Sequence, residues 1–182
     1  MTYHDTLTKV GILLTQKNRA YGDNAHKSFE RFGPISYVIR LSDKAERMKQ
    51  LNENPDIDTG GEAWIDTCFD MIGYVLLFCA DLYYDLFPDD ETDVEDRHIR
   101  RTLDYVEELT CLSSEEIESM ATIFKNSYMS NRTLVDLILS FDNDDGPTPT
   151  ELILFVAYLV KMYCDFENRK EQENGKEAEE EQ

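Results

Sequence analysis

Apolar residues recur along most of the chain at helical spacing, and no segment alternates in the way that a strand does. In the stretch 3–19, for example, the predicted apolar side of a helix consists of Leu7, Val10, Ile12, Leu13 and Leu14. Further helices are expected at about 36–52, 62–86, 96–110, 114–128, 131–141 and 149–167. The sequence therefore predicts an all-α fold, a bundle of about seven helices.

Turn-forming and charged segments divide this series of helices. The run 20–36 contains Gly22, Gly33 and Pro34, and these residues predict a loop between the first two helices. An acidic run near residues 88–96 separates a helical core, 1–88, from a C-terminal helical layer, 96–167. The last stretch, 168–182, is charged and has no large apolar residue, a composition typical of a disordered acidic tail.

Composition and the absence of long apolar runs indicate a cytoplasmic protein. Hydrophobic residues make up 41% of the chain, enough for a core, but no apolar run approaches the roughly 20 residues that a membrane-spanning helix needs. The first ten residues include an early Asp and no long apolar segment, unlike a signal peptide. Cysteines and histidines show no metal-ligand spacing, and the cysteines are expected to be buried free thiols in a reducing compartment: Cys68, Cys79, Cys111, Cys164, His4, His26 and His98.

The charge is distributed unevenly. The formal net charge is −20, yet residues 1–49 contain nine Lys or Arg against five Asp or Glu. Within this basic part, Arg40, Lys44 and Arg47 are spaced i, i+4, i+7, so they form one stripe on the second predicted helix. Two interpretations stay open. The stripe forms intrahelical pairs with Asp43 and Glu46, each worth a few tenths of a kcal/mol, or it binds phosphate.

A stripe of carboxylates lies on the third predicted helix. Glu62, Asp66 and Asp70 are spaced i, i+4, i+8, and like charges at this spacing repel one another. A hard divalent cation such as Mg²⁺ or Mn²⁺ would relieve the repulsion. The alternative is a solvated acidic face, which the helix dipole explains for Glu62 but poorly for the other two. Metal-bound carboxylates opposite a basic helix would suit triphosphate chemistry, although a Walker A glycine loop is absent from the sequence.

Three segments carry a family resemblance: "QKNRAYGDN", "FERFGPISYVIRLSDKAERMKQL" and "GGEAWIDTCFDMIGYVLL". Together they resemble the nucleotide-modification-associated domain common in phages and prophages, over about residues 10–80. One departure is Ala20, where many members have an acidic residue. The matching positions are Lys17, Asn18, Tyr21, Gly22, Asp23, Arg40, Asp43, Lys44, Arg47, Glu62, Asp66, Asp70 and Tyr74.

The helical layout also resembles the MazG and dimeric dUTPase group of all-α nucleoside triphosphate pyrophosphatases. This resemblance implies a homo-oligomer in the host cytoplasm and Mg²⁺-dependent hydrolysis of a nucleotide, with Asp66 and Asp70 in the catalytic role. The group gathers acids from two adjacent helices, so the implied metal ligands are Asp43, Glu46, Glu62, Asp66 and Asp70. The implied phosphate contacts are Lys17, Arg40, Lys44 and Arg47, and the candidate base contacts are Tyr21, Asp23 and Phe32.

Two other functions fit the same sequence. The first is an anti-defence protein that sequesters a nucleotide without cleaving it, since pocket chemistry alone does not separate binding from turnover. The second is an acidic protein that mimics DNA and occupies a basic partner, because residues 50–182 contain 33 Asp or Glu against nine Lys or Arg, a net charge of −24. Direct binding of nucleic acid is not expected, since no wide basic face exists.

Overall fold

The protein is all-α in the part that the computed structural model describes, which comprises residues 1–54, 64–82, 97–142 and 146–180. None of the helices there is both long enough and apolar enough to cross a membrane. The elements, in chain order, are α1 (Tyr3–Tyr21), α2 (Asn24–Phe32), α3 (Ile35–Glu53), α4 (Trp64–Leu82), α5 (Arg97–Thr110), α6 (Ser114–Tyr128), α7 (Leu134–Leu139), a short 3-10 helix (Ser140–Asp142) and α8 (Pro149–Glu180).

The predicted loop at 20–36 contains a helix, α2, and this is the main correction to the sequence-based layout. Its breakers lie at the ends of the helix: Gly22 has φ 59° and Gly33 has φ 69°, values that glycine adopts at little cost. Asp23 also lies in the left-handed region, with φ 56°. Ala25, Phe29 and Phe32 follow the helical spacing i, i+4, i+7. The helix is only nine residues long and none of its residues is fully buried, so this pattern is too short to outweigh the flanking Gly and Pro residues in a sequence-based prediction.

Capping residues start the later helices where the sequence indicates. The Glu116 amide donates to Ser113 Oγ at 3.3 Å, and the Ser113 amide donates back to Glu116 Oε2 at 2.8 Å, which completes a capping box.

At the other end of the chain, α8 continues to Glu180, whereas the sequence predicts disorder from residue 168. The Glu, Lys, Gln and Ala residues of this stretch are strong helix formers, so a composition unable to build a core can still propagate an existing helix.

The core is one continuous cluster that joins the two predicted groups of helices. Helix α4 lies at its centre and packs against α3, α5 and α8, and most of its side chains are buried. The apolar face of α8 packs into this core: Leu152, Phe155, Val156, Leu159 and Val160 are each 0% exposed. Burial of this face removes apolar surface from water and so stabilises the bundle.

The four cysteines are free thiols, but they do not share one environment. Cys68, Cys79 and Cys164 are buried among the helices, as the sequence predicts. Burial raises the pKa of the Cys68 thiol to about 12, so this group stays protonated and unreactive. Cys111 is exposed, and the prediction of a buried thiol is wrong there because the residue follows the last turn of α5 rather than lying inside a helix.

Candidate functional site

A cavity of about 340 Å³ opens between α1, α2, α3, α4 and α5. Its volume is within the range of small-molecule sites. Helices α1 and α4 approach closely beside it. A Cβ atom on Gly73 of α4 would lie only 3.2 Å from Leu14 Cδ2 of α1. Apolar side chains and three aromatic rings form much of the wall: Val10, Leu13, Leu14, Leu77, Ile99, Tyr21, Phe69 and Tyr74. The polar and charged side chains in the wall are Lys17, Asn18, Asn24, Arg40 and Asp70.

Asp70 of α4 joins two lysines from neighbouring helices. Lys17 Nζ of α1 lies 2.5 Å from Asp70 Oδ1, and Lys44 Nζ of α3 lies 2.8 Å from Asp70 Oδ2. Partial burial alone would raise the pKa of the Asp70 carboxyl, but the two ammonium groups hold the pKa below its ordinary value. Asp70 is therefore ionised at neutral pH, and the group of three side chains carries one net positive charge.

Arg40 connects α3 with α2 and with the cavity wall. Its guanidinium donates to the Ser36 carbonyl at 2.9 Å and to Ser28 Oγ at 3.0 Å. The same guanidinium lies 6.0 Å from the centre of the Tyr74 ring on α4, a cation–π distance. Arg40 thus adds a second positive charge beside the group formed by Lys17, Asp70 and Lys44.

The structure brings part of the predicted nucleotide site together. Lys17, Arg40, Asp70 and Tyr21 all line the cavity, and Lys44 reaches it through Asp70. The basic stripe of α3 and the acidic stripe of α4 therefore face each other at one point. The remaining predicted contacts lie elsewhere: Arg47 is half-buried one turn beyond Lys44, and Phe32 is exposed at the end of α2, neither of them in the cavity wall.

The described acidic residues do not assemble the predicted Mg²⁺ site. Both oxygens of Asp70 are taken by lysines, while Asp43, Glu46 and Asp66 are exposed. Glu62 lies outside the described residues. Within the described ranges, these carboxylates do not form a group of three or more potential ligands. The four described carboxylates therefore do not by themselves fit the implied metal.

Asp23, predicted as a base contact, belongs instead to a buried polar cluster behind the cavity. The cluster consists of Asp23, His26, Tyr37, Asp81 and His98, from α2, α3, α4, α5 and the residue before α2. Asp81 Oδ1 lies 2.6 Å from His26 Nδ1 and 3.0 Å from His98 Nε2. The Tyr37 hydroxyl donates to Asp81 Oδ2 at 2.5 Å, and His98 Nδ1 lies 3.1 Å from Asp23 Oδ1.

Charge balance explains how this cluster is stable inside the protein. The Asp81 side chain is 0% exposed and that of His98 is 2% exposed. Burial alone would lower the pKa of His98, but hydrogen bonds to Asp23 and Asp81 raise it to about 9. The hydrogen bond to Asp81 likewise raises the pKa of His26. Burial alone would raise the pKa of the Asp81 carboxyl, but the two imidazoles and the Tyr37 hydroxyl hold it below its ordinary value.

The polar cluster is the part of the architecture that sequence reasoning missed. Asp81 directly follows the apolar run 71–80 near the end of α4, and a buried acid needs partners because an unpaired charge is costly to bury. This acid beside an apolar run is the one sequence signal that points to the cluster. The identity of the partners is not in the sequence, since His26 and His98 lie 55 and 17 residues away from Asp81 and approach it only after α2 and α5 have packed on α4.

The class that is established for this chain is its fold class, all-α. No protein-family model, no curated protein and no solved structure matches it. The nucleotide-related interpretation consequently depends on the residues of the cavity and on the sequence resemblance.

Proposed function

We propose that the protein binds a small phosphorylated nucleoside in the cavity beside Asp70. The observation that carries this proposal is that Lys17 and Lys44 converge on one carboxylate at the cavity, whose wall also contains Arg40. Three cations against one anion give a net local charge of +2, in a protein whose formal net charge is −20. Phosphate oxygens are the ligands that such a group of ammonium and guanidinium donors prefers.

The overall charge supports a small ligand rather than a nucleic acid. A polyanion extends beyond the cavity and meets the acidic remainder of the surface, where repulsion opposes binding. A mononucleotide carries its negative charge in one compact group, which can contact the cations while the rest of the molecule stays within the cavity. The net local charge therefore favours a compact anion.

The cavity wall supports a ligand with a planar apolar part. Tyr21, Phe69 and Tyr74 contribute aromatic rings to it, and Tyr21 is 70% exposed, so its ring is accessible to an incoming base. Stacking of a base on an aromatic side chain contributes about 1–3 kcal/mol. Asn18 and Asn24 add amide donors and acceptors, which suit the polar edge of a base or a ribose hydroxyl.

Equilibrium binding of a nucleotide panel tests the proposal. Nucleoside mono-, di- and triphosphates with each common base are titrated into the full chain by calorimetry, first with a chelator and then with Mg²⁺. At least one nucleotide should bind with a stoichiometry of one per cavity, and the unphosphorylated nucleoside should bind much more weakly. If no nucleotide binds under either condition, the proposal is wrong.

Charge-neutralising variants locate the binding site. Lys17→Gln and Arg40→Gln should each weaken the affinity for the bound nucleotide by about tenfold or more, since each removes a charge-assisted hydrogen bond worth about 1.5–3 kcal/mol. Lys125→Gln is the matched control, because Lys125 is exposed on α6 and should leave the affinity unchanged. Equal effects at all three positions would indicate non-specific attraction of the anion and would contradict binding in the cavity.

The same samples separate sequestration from hydrolysis. Nucleotide incubated with the protein and Mg²⁺ is recovered after denaturation and analysed by chromatography. Because both Asp70 oxygens are bonded to lysines, we expect intact nucleotide. Release of pyrophosphate that Asp70→Asn abolishes and Asp104→Asn preserves would instead support the Mg²⁺-dependent hydrolase implied by the sequence resemblance.

A further inference from the structure

Three potential metal ligands meet in the polar cluster, outside the proposed nucleotide site. One atom each from His26, Asp81 and His98 lies within 4.8 Å of the other two. His26 Nδ1 and His98 Nε2 both point at the same oxygen, Asp81 Oδ1, at 2.6 and 3.0 Å. The three residues come from α2, α4 and α5, so the fold itself holds the ligating atoms together. We propose that His26, Asp81 and His98 form a binding site for a divalent transition-metal ion of the Zn²⁺ type.

The outer contacts of these residues support a metal site. A histidine that ligates a metal commonly donates its other ring N–H to a carboxylate, which fixes the tautomer and aims the free nitrogen. His98 has this arrangement, since Nδ1 faces Asp23 Oδ1 at 3.1 Å and Nε2 faces Asp81. Asp81 is held in the same way, because the Tyr37 hydroxyl occupies Oδ2 and leaves Oδ1 toward the two imidazoles.

The ligand set selects the class of ion. Two imidazole nitrogens and one carboxylate oxygen suit Zn²⁺ and related transition metals, whereas Mg²⁺ and Ca²⁺ prefer an all-oxygen shell. Ligands of a tetrahedral ion with bonds of about 2.1 Å lie roughly 3.4 Å apart. The separations from Asp81 Oδ1 are 2.6 Å to His26 Nδ1 and 3.0 Å to His98 Nε2. Each of these two separations must therefore lengthen by less than about 1 Å when the ion binds.

Access to the site is from the side of His26. The His26 side chain is 21% exposed, while those of Asp81 and His98 are 0% and 2% exposed. Without a metal, N–H groups of both imidazoles point at Asp81 Oδ1, and His98 Nε2 also lies 3.3 Å from the Leu77 carbonyl. An entering ion replaces these N–H protons, so the hydrogen-bonded cluster and the metal-bound cluster are two states of the same side chains.

Titration with Co²⁺ tests the proposal on the full chain after treatment with a chelator. Co²⁺ has visible d–d absorption whose intensity reports a tetrahedral or five-coordinate site. We expect one equivalent of Co²⁺ to bind, with loss of the visible bands when Zn²⁺ is added. A failure of Co²⁺ and Zn²⁺ to bind at one equivalent in the wild-type protein overturns the proposal without recourse to any variant.

Variants assign the bound ion to this cluster. His26→Gln is the informative substitution, because His26 is the most exposed of the three ligands, and we expect the affinity for Co²⁺ to fall at least about tenfold. His4→Gln and Cys111→Ser are controls that remove other accessible ligands, an exposed imidazole and an exposed thiol, and they should bind Co²⁺ as the wild type does. If either control loses the Co²⁺ and His26→Gln retains it, the site lies elsewhere and the proposal is wrong.

A stability measurement guards against a folding defect. Because an ion that binds only the folded chain stabilises it by mass action, Zn²⁺ should raise the melting temperature of the wild type and of both controls. His26→Gln should show no such rise while it retains a cooperative transition in the absence of metal. A rise in melting temperature that is equal in His26→Gln and the wild type contradicts the assignment.

Discussion

Lys17 Nζ and Asp70 Oδ1 lie 2.5 Å apart and connect α1 with α4 at the edge of the cavity. The carboxylate takes a second ammonium, that of Lys44, through its other oxygen. Asp70 thus joins α1, α3 and α4 by charge. Its single negative charge neutralises one of the two lysine charges beside it. Removing that charge should therefore lower the stability of the bundle and make the cavity more positive.

We expect Asp70→Asn to lower the free energy of unfolding by about 1–3 kcal/mol. The amide removes the negative charge to which both ammonium groups donate, and hydrogen bonds to charged groups are worth about 1.5–3 kcal/mol each. Urea denaturation measures the change. Asp104→Asn is the matched control, since Asp104 is exposed on α5 and should change stability by less than about 0.5 kcal/mol. Equal stability of the two variants would contradict a structural role for Asp70.

The contribution of Asp70 should depend on pH. Its folded pKa lies below the ordinary value of 3.8, so the unfolded chain takes up the proton first as the solution is acidified. The stabilisation is therefore fully present well above pH 3.8 and is lost as the pH falls through the folded pKa. We expect the difference in unfolding free energy between the wild type and Asp70→Asn to shrink progressively as the pH falls below 3.8.

The difference between the two proteins is the correct observable for this pH prediction. Acidification also neutralises many of the 38 Asp and Glu residues and relieves their mutual repulsion, which changes the stability of both proteins together. Urea denaturation of the wild type, Asp70→Asn and Asp104→Asn is repeated at each pH. A gap between wild type and Asp70→Asn that stays constant down to the lowest pH would show that the carboxylate charge is not what stabilises the site.

The sequence predicts those features that depend on local spacing. The all-α fold and most helix bounds follow from apolar periodicity, and the opposition of Lys44 and Asp70 follows from two stripes of charge on consecutive predicted helices. Lys17 comes from the motif resemblance rather than from spacing. These predictions succeed where the chain itself carries the information, at separations of three, four or seven residues along one helix.

The remaining features arise from packing between distant segments. The sequence predicts Asp23 as a base contact. In the folded chain its carboxylate instead contacts His98, which lies 75 residues away in the sequence. The acidic stripe of α4 reads as a metal site, yet Asp70 is engaged by two lysines and Asp66 is exposed. A carboxylate can pair with a lysine or arginine of the protein, or it can bind a metal ion from solution. Tertiary contacts decide between the two, and the spacing of residues along one helix does not predict them.

Tyr37→Phe should destabilise the protein through the polar cluster. Tyr37 is 0% exposed, and its hydroxyl donates to Asp81 Oδ2 at 2.5 Å. Phenylalanine keeps the stacking on Phe78, where the ring centres lie 4.9 Å apart, but leaves a buried carboxylate oxygen without this donor. We expect a loss of about 1–3 kcal/mol in the free energy of unfolding. Tyr21→Phe, at a side chain that is 70% exposed, is the control and should leave stability nearly unchanged; equal losses would refute the argument.

Gly73→Ala should reduce binding in the cavity while leaving the fold intact. The added methyl group projects toward Leu14, with Cβ 3.2 Å from Cδ2, and both residues line the cavity. The added methyl group and the shifted Leu14 side chain both belong to the cavity wall, so we expect the cavity to lose volume. Alanine gains about 1 kcal/mol of helix propensity over glycine, which offsets part of the crowding. We expect the free energy of unfolding to stay within about 1 kcal/mol of the wild type and nucleotide affinity to fall about tenfold.

Gly11→Ala provides a closely matched control for this prediction. A Cβ atom there would lie 3.3 Å from Val106 Cγ1, a contact as tight as the one at Gly73, but Gly11 does not line the cavity. Thermal or urea denaturation compares the stability of the two variants, and calorimetry compares their affinity for the nucleotide that the wild type binds. Weaker binding by Gly73→Ala alone attributes the loss to the filled cavity. Equal loss in both variants would mean that crowding of α1, rather than cavity volume, controls the affinity.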